Sequence, residues 1–156
     1  AIPEDLYQKM TAARKFRSAC AVMRQLQFAK VDLLLHMRTA EFLEGDIESK
    51  VRALVADCFV PTEPPGRTLI RRATHIFGDP VGYAAGYYSY KWAEVLDADA
   101  FSRFKREGIF NARTGAAFVE HILSRGNSAE PMELYRAFMG REPDLQALLR
   151  RSGLAA

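Results

Sequence analysis

Apolar side chains in this sequence recur at three- and four-residue intervals along most of its length, and no run alternates apolar with polar residues between convincing turn signals. The clearest case is Ile47, Val51, Leu54, Val55 and Cys58, at i, i+4, i+7, i+8 and i+11, with Gly45 to break the chain before them and Asp46 to cap it. That periodicity is helical, so the pattern predicts an all-α fold of about six to seven helices and no sheet. With 156 residues, 49% hydrophobic and 26% charged, one domain spanning 1–156 can bury roughly two-thirds of its unfolded surface. Such a core needs neither disulfides nor a structural metal.

Pro3, Glu4 and Asp5 mark a short first helix to about residue 13. Two adjacent apolar stripes, one through Phe16, Cys20, Met23, Val31 and Leu34 and one through Ala19, Val22, Leu26, Leu33 and Met37, predict a central helix from Arg14 to Arg38. The run Pro61-Thr-Glu-Pro-Pro-Gly66 ends the Ile47–Cys58 helix, and Gly78, Pro80, Gly82 and Gly86 mark irregular backbone. A further helix carries Tyr88, Trp92, Val95, Leu96 and Phe104 up to Gly108. Asn111 caps a helix bearing Phe118, Ile122 and Leu123; Pro131 opens one with Leu134, Tyr135 and Phe138; Glu142-Pro143 opens the last, which Gly153 stops.

Several function classes are excluded. The 22 basic against 19 acidic residues leave a formal charge of +3, too small a surplus to argue for nucleic acid or an anionic membrane. No segment approaches the roughly 20 apolar residues of a spanning helix, and the start lacks the features of a secretory signal. A soluble, cytoplasmic protein is expected. Cys20 and Cys58 read as reduced core residues. The chain starts at Ala1 rather than Met, which suggests a processed product or a piece of something longer.

Metal and nucleophile motifs are missing. His36, His75 and His121 open no His-Glu-x-x-His motif, and no three of the histidines and cysteines have a zinc-ligand spacing, so no metal site is expected in this chain. Asp32 and His36, at i, i+4, suit a single metal bond or an orienting hydrogen bond, the latter preferred.

The unusual stretch is His75-Ile-Phe-Gly-Asp-Pro-Val-Gly-Tyr-Ala-Ala-Gly-Tyr-Tyr-Ser-Tyr90, with four of the chain's six tyrosines beside three glycines. Glycine admits close backbone approach, and a phenol donates to an oxyanion or peptide carbonyl while its ring stacks on substrate. On a helix Tyr83, Tyr87 and Tyr90 share a face from which Tyr88 turns away. Substrate recognition and plain core packing suit this spacing equally.

The run Tyr83-Ala-Ala-Gly-Tyr-Tyr-Ser-Tyr-Lys-Trp-Ala-Glu-Val-Leu-Asp-Ala-Asp-Ala-Phe101 resembles the C-terminal region of the thimet oligopeptidase and oligopeptidase A family of zinc metallopeptidases, in its bacterial oligopeptidase A form. Arg24-Gln-Leu-Gln-Phe, Asp32-Leu-Leu-Leu-His36, Gly108-Ile-Phe-Asn, Ile122-Leu-Ser-Arg-Gly-Asn-Ser128 and Gly140-Arg-Glu-Pro143 extend the resemblance over essentially the whole chain. It implies an all-α segment of a zincin-type oligopeptidase, cut from a parent whose zinc is held by a His-Glu-x-x-His helix and a further Glu upstream of the matched region. By the same resemblance His75 is the cleft histidine, Tyr83 the first loop tyrosine on substrate, with Gly82 and Tyr87 beside it. Tyr90 then donates its hydroxyl to the carbonyl oxygen as it becomes an oxyanion. The family's short Gly-Gly connection is longer here, as Gly78-Asp-Pro-Val-Gly82, and Lys91 replaces a common Leu.

The resemblance thus implies a cytoplasmic peptidase of short peptides, with zinc in the intact parent, none in this chain, and no hydrolysis by the chain alone. Its expected partners are peptide substrates, the N-terminal remainder of the parent and, for an excised piece, further copies of itself. The alternative is a free-standing helical module that binds a peptide or protein without catalysis.

Overall fold

Glu4 and Asp5 place two carboxylates in the first turn of a helix, and Arg14 and Lys15 two cations in its last, in accord with the helix dipole. In the computed structural model, which describes residues 2–58 and 60–155, these residues bound helix α1, Glu4–Lys15. Helix α2 follows as Ser18–Met37. The periodicity predicted one helix from Arg14, but Phe16 is extended and Arg17 adopts a left-handed φ of 56°. No residue of α1 is buried, so no packing among the described residues rewards a straight continuation. Burial in α2 is confined to its second half, at Ala29, Val31, Asp32 and Leu35. Phe16 is 77% exposed, and Cys20, expected in the core, is exposed too. Among the described residues only Met23 from the first half of α2 packs on the core cluster.

The fold is all-α, with no strand among the described residues. They divide into two compact units, one up to Lys91 and one from Trp92 onward. In the first unit Gly45 turns at φ 74°, and Asp46 accepts from the backbone N–H groups of Glu48 and Ser49, both at 3.2 Å, to open α3, Ile47–Leu54. The helix ends four residues earlier than its apolar pattern predicts. Val55 leaves helical geometry and a 3-10 turn covers Ala56–Cys58, closed by the Cys58 N–H on the Val55 carbonyl at 2.8 Å. The tighter turn keeps the pattern's inward face: Val51, Val55 and Cys58 are buried with Val31 and Leu35. Each such fully buried aliphatic side chain contributes about 1.5–3 kcal/mol. Glu48 then accepts from the Thr68 N–H (3.1 Å) and Arg71 Nε (2.7 Å), drawing the segment after the proline loop onto α3. Burial pushes the Glu48 carboxyl up, but these donors outweigh it and hold the group below its ordinary range.

The second unit begins inside a helix that starts at Ser89, and its caps match their sequence signals except at the last helix. Helix α4, Ser89–Glu107, ends at Gly108 (φ 107°). Asn111 accepts from the N–H groups of Arg113 and Thr114 to open α5, Ala112–Phe118, which runs on into a π turn over Val119–Leu123. Helix α6, Pro131–Met139, ends at Gly140 in the left-handed region. The last helix, α7, is Leu145–Arg151 and is capped by Asp144, two residues beyond the expected Glu142. Tyr135, Phe138 and Met139 are buried against Leu96, Phe104, Phe118 and Ile122. The Phe118 ring meets Phe104 and Phe138 edge-on, at centroid distances of 5.7 and 5.2 Å.

A buried carboxylate organises the same unit. Asp99, 1% exposed, takes a two-pronged guanidinium contact from Arg141, with both N···O distances 2.6 Å. It also accepts the Tyr135 hydroxyl (2.6 Å) and the Asp144 N–H (2.8 Å). Burial alone would raise the Asp99 carboxyl; Arg141, Tyr135 and the Asp144 amide overcome it and hold the group far below the usual carboxylate range. Burial and the Asp99 acceptor push the Tyr135 phenol up. One side chain thereby ties α4 to α6 and to the start of α7.

Candidate functional site

The Gly/Tyr stretch begins on a firm anchor. A single 3-10 turn, Thr74–Ile76, presents His75 while Ala73 and Ile76 on either side are fully buried. Asp79 then makes a turn of the following loop, its Oδ1 accepting the N–H groups of Val81 (2.7 Å) and Gly82 (3.2 Å). Further turns close with Gly86 N–H on the Tyr83 carbonyl and Ser89 N–H on the Gly86 carbonyl. Ala85 sits at φ 55°, in the left-handed region. Tyr90 stands in the first turn of α4.

Four of the five sequence-derived candidates come together through their rings. His75 meets Tyr83 edge-on at a centroid distance of 5.3 Å and Tyr87 at 6.0 Å, and Tyr87 meets Tyr90 at 5.3 Å. Tyr83 and Tyr90 stack at 6.2 Å with 16° between their planes, and their hydroxyls lie 2.7 Å apart. The fifth candidate, Gly82, takes part through the backbone turn that Asp79 closes. Tyr83 and Tyr90 are more than 40% exposed, so no core packing among the described residues accounts for them; Tyr87 is half-buried, edge-on to Phe28 at 5.6 Å.

The hydroxyl pair has a definite chemical capacity. Its hydrogen bond, partial burial and the neighbouring Tyr83 and Tyr87 phenols push the Tyr90 phenol above its ordinary value, so it stays protonated at neutral pH. Either hydroxyl can be the donor: Tyr90 donating to Tyr83 pushes its own phenol up, and when the hydrogens turn so that Tyr83 donates, Tyr90 keeps its hydrogen for an incoming oxygen. Exposed tyrosines beside an imidazole therefore offer stacking faces and a hydrogen-bond donor for a carbonyl.

Behind this cluster lies α2. Asp32, 1% exposed, accepts the Ala85 N–H at Oδ1 (3.2 Å) and the Tyr87 N–H at Oδ2 (2.8 Å). One turn later His36 Nδ1 lies 2.8 Å from the Asp32 carbonyl and 3.1 Å from its Oδ1, while its ring stacks on Phe77 at 5.4 Å. The hydrogen bond that joins the two is thus the one from the imidazole to the Asp32 backbone carbonyl, an orienting bond as preferred from the sequence, with the carboxylate close by. Spacing alone does not reveal the pair's link to the tyrosine loop, although a carboxylate between Val31 and Leu33 in an apolar run signals a buried acceptor in need of donors. Among the described residues no group of three or more His, Cys, Asp or Glu side chains is arranged to hold a metal ion, and no helix is long and apolar enough to cross a membrane. In the second unit an apolar cavity of about 520 Å³, lined by Leu96, Phe101, Phe104, Phe118, Leu134 and Phe138 among others, contains none of the five candidates.

A family model described as Peptidase family M3 matches residues 1–154. The chain is 48% identical to the oligopeptidase A of Escherichia coli and 46% identical to that of Salmonella typhimurium, in each case over 98% of this chain and 22% of the relative. It is 44% identical to the organellar oligopeptidase A of Arabidopsis thaliana over 99% of this chain and 20% of the relative. The chain thus spans about a fifth of the length of these relatives.

Proposed function

Because this chain belongs to peptidase family M3, we propose that it is the C-terminal segment of a zinc-dependent, cytoplasmic oligopeptidase that hydrolyses short peptides, and that it supplies substrate contacts and a transition-state hydrogen bond. The observation that carries this is the exposed Tyr83–Tyr90 hydroxyl pair, 2.7 Å apart and flanked by His75 and Tyr87. Tyr83, Tyr87 and Gly82 line the bound peptide, with His75 beside them. Tyr90 directs its hydroxyl to the scissile carbonyl oxygen, where negative charge grows in the transition state. The described residues do not fit a zinc site; the metal, and the activated water it provides, are assigned to the polypeptide outside this segment. The two units belong, in this assignment, to one catalytic domain of the parent.

Steady-state assays on a fluorogenic short peptide test this. The full-length polypeptide carrying the segment is expected to hydrolyse the peptide, and the isolated chain to give no turnover even with added zinc. A full-length polypeptide that binds peptides without cutting them would favour a binding module; turnover by the isolated chain would show that the segment is itself an enzyme.

The rest of the parent also explains an otherwise costly surface. Leu6, Met10, Phe16, Met37 and Leu43 are all exposed, and we assign their cover to the missing polypeptide. The isolated chain is accordingly expected to self-associate in sedimentation and to bind a hydrophobic dye. A clean monomer that leaves the dye dark would contradict that assignment.

A further inference from the structure

Helix α2 carries Phe28, Asp32 and His36 at i, i+4 and i+8, one stripe of a helix face. Each of the three touches the loop that bears the tyrosines. Phe28 packs edge-on against Tyr87 at 5.6 Å, Asp32 accepts the Ala85 and Tyr87 amides at 3.2 and 2.8 Å, and His36 stacks on Phe77 at 5.4 Å. From this geometry we infer that Asp32, steadied by His36, is a positioning residue that fixes the Tyr83–Tyr90 hydroxyl pair in its donating arrangement. The inference rests on the function proposed above for that pair.

Backbone chemistry makes the case. Between Tyr83 and Tyr90 the chain follows turns rather than a helix, and it passes through a left-handed alanine at φ 55°, a conformation that alanine adopts only when its surroundings impose it. Asp32 imposes it by holding the N–H groups on either side of Gly86. Those two amides sit two residues after Tyr83 and three before Tyr90, so the clamp sets how far apart the two phenols stand. A carboxylate suits the task because each oxygen can take one of the two amides. An amide cannot, since its nitrogen would face one of these N–H groups donor to donor. His36 Nδ1, within 3.1 Å of Oδ1 and 2.8 Å of the Asp32 carbonyl, bears on the same carboxylate from the next turn, while the imidazole's stack on Phe77 holds the loop's entry.

The test is a double-mutant cycle in the full-length peptidase, on a fluorogenic peptide, with amide hydrogen exchange of the same proteins. Asp32→Asn is expected to lower kcat by about 10- to 100-fold, in the range of a misplaced catalytic group, a larger effect than the rise in KM that displacing Tyr83 and Tyr87 brings. In a Tyr90→Phe background the same substitution should cost less than about threefold, because the group it positions is gone. The Ala85 and Tyr87 amides should exchange about tenfold faster or more in Asp32→Asn, while those of α3 stay protected. His36→Gln should show the same pattern more weakly and serves in place of Asp32→Asn if that variant does not fold. An undiminished loss in the Tyr90→Phe background, or unchanged Ala85 and Tyr87 exchange, would overturn the inference. So would full activity of Asp32→Asn in an enzyme that Tyr90→Phe cripples, an outcome that leaves the proposed function standing. If Tyr90→Phe itself is harmless, the proposed function of the pair falls, and exchange alone decides whether Asp32 holds the loop.

Discussion

On the function proposed for it, replacing Tyr90 by Phe in the full-length polypeptide is expected to lower kcat by about a hundredfold to a thousandfold, roughly 3–4 kcal/mol of transition-state stabilisation, with little change in KM. The ring stays, so the stacks on Tyr83 and Tyr87 survive; only the hydroxyl is lost. The ground-state carbonyl needs that donor little, whereas an oxygen gaining charge needs it strongly, which places the loss in kcat. Tyr90 is 44% exposed, and water can satisfy the Tyr83 hydroxyl left behind, so thermal stability should change by less than about 0.5 kcal/mol. A scaffold tyrosine would give the reverse, a lower melting temperature with turnover per folded molecule nearly intact. Activity within about threefold of the parent is too small a change for a lost oxyanion donor and would remove Tyr90 from the catalytic set.

What was legible in the sequence followed the range of the interaction. Asp46, Asn111 and Gly108 act on backbone within a few residues of themselves, and each caps or stops a helix where its chemistry demands. The inward faces of Val51, Val55 and Cys58 survived even though the helix beneath them tightened into a 3-10 turn. Cys20 and Phe16 were misplaced because periodicity tells which residues share a face, and not whether anything covers it. Arg17 broke the long helix at a residue whose type carries no turn signal. In the site, the common face of Tyr83, Tyr87 and Tyr90 was visible from spacing, yet the backbone that delivers it is a series of turns. Asp32 shows the limit most clearly. Its partners lie 53 and 55 residues away, and no local pattern encodes a contact over that distance, although a buried carboxylate in an apolar helix implies that some donor must come to it.

The other large effect belongs to Asp99. Asp99→Asn is expected to destabilise the chain by about 3 kcal/mol at neutral pH, at the lower end for breaking a buried ion pair because Arg141 is partly exposed. The amide keeps the volume but removes the charge that the guanidinium grips through both nitrogens, and it cannot accept at every point where Tyr135 and the Asp144 amide now donate. Acid should erase much of the difference. In the unfolded chain an Asp titrates near pH 3.9, while the folded Asp99 carboxyl is held well below that by its donors. Below about pH 4 the unfolded chain therefore takes up a proton that the folded chain refuses, and wild-type stability falls as pH drops toward the folded value. The asparagine variant has no such group, so the gap between the two proteins should be widest near pH 7 and narrow progressively below pH 4. Urea denaturation of both proteins in dilute solution at pH 7 and pH 3 measures it, as a shift in midpoint at constant slope. An equal gap at both pH values would show that the shape of the side chain, and not its charge, holds α4, α6 and α7 together.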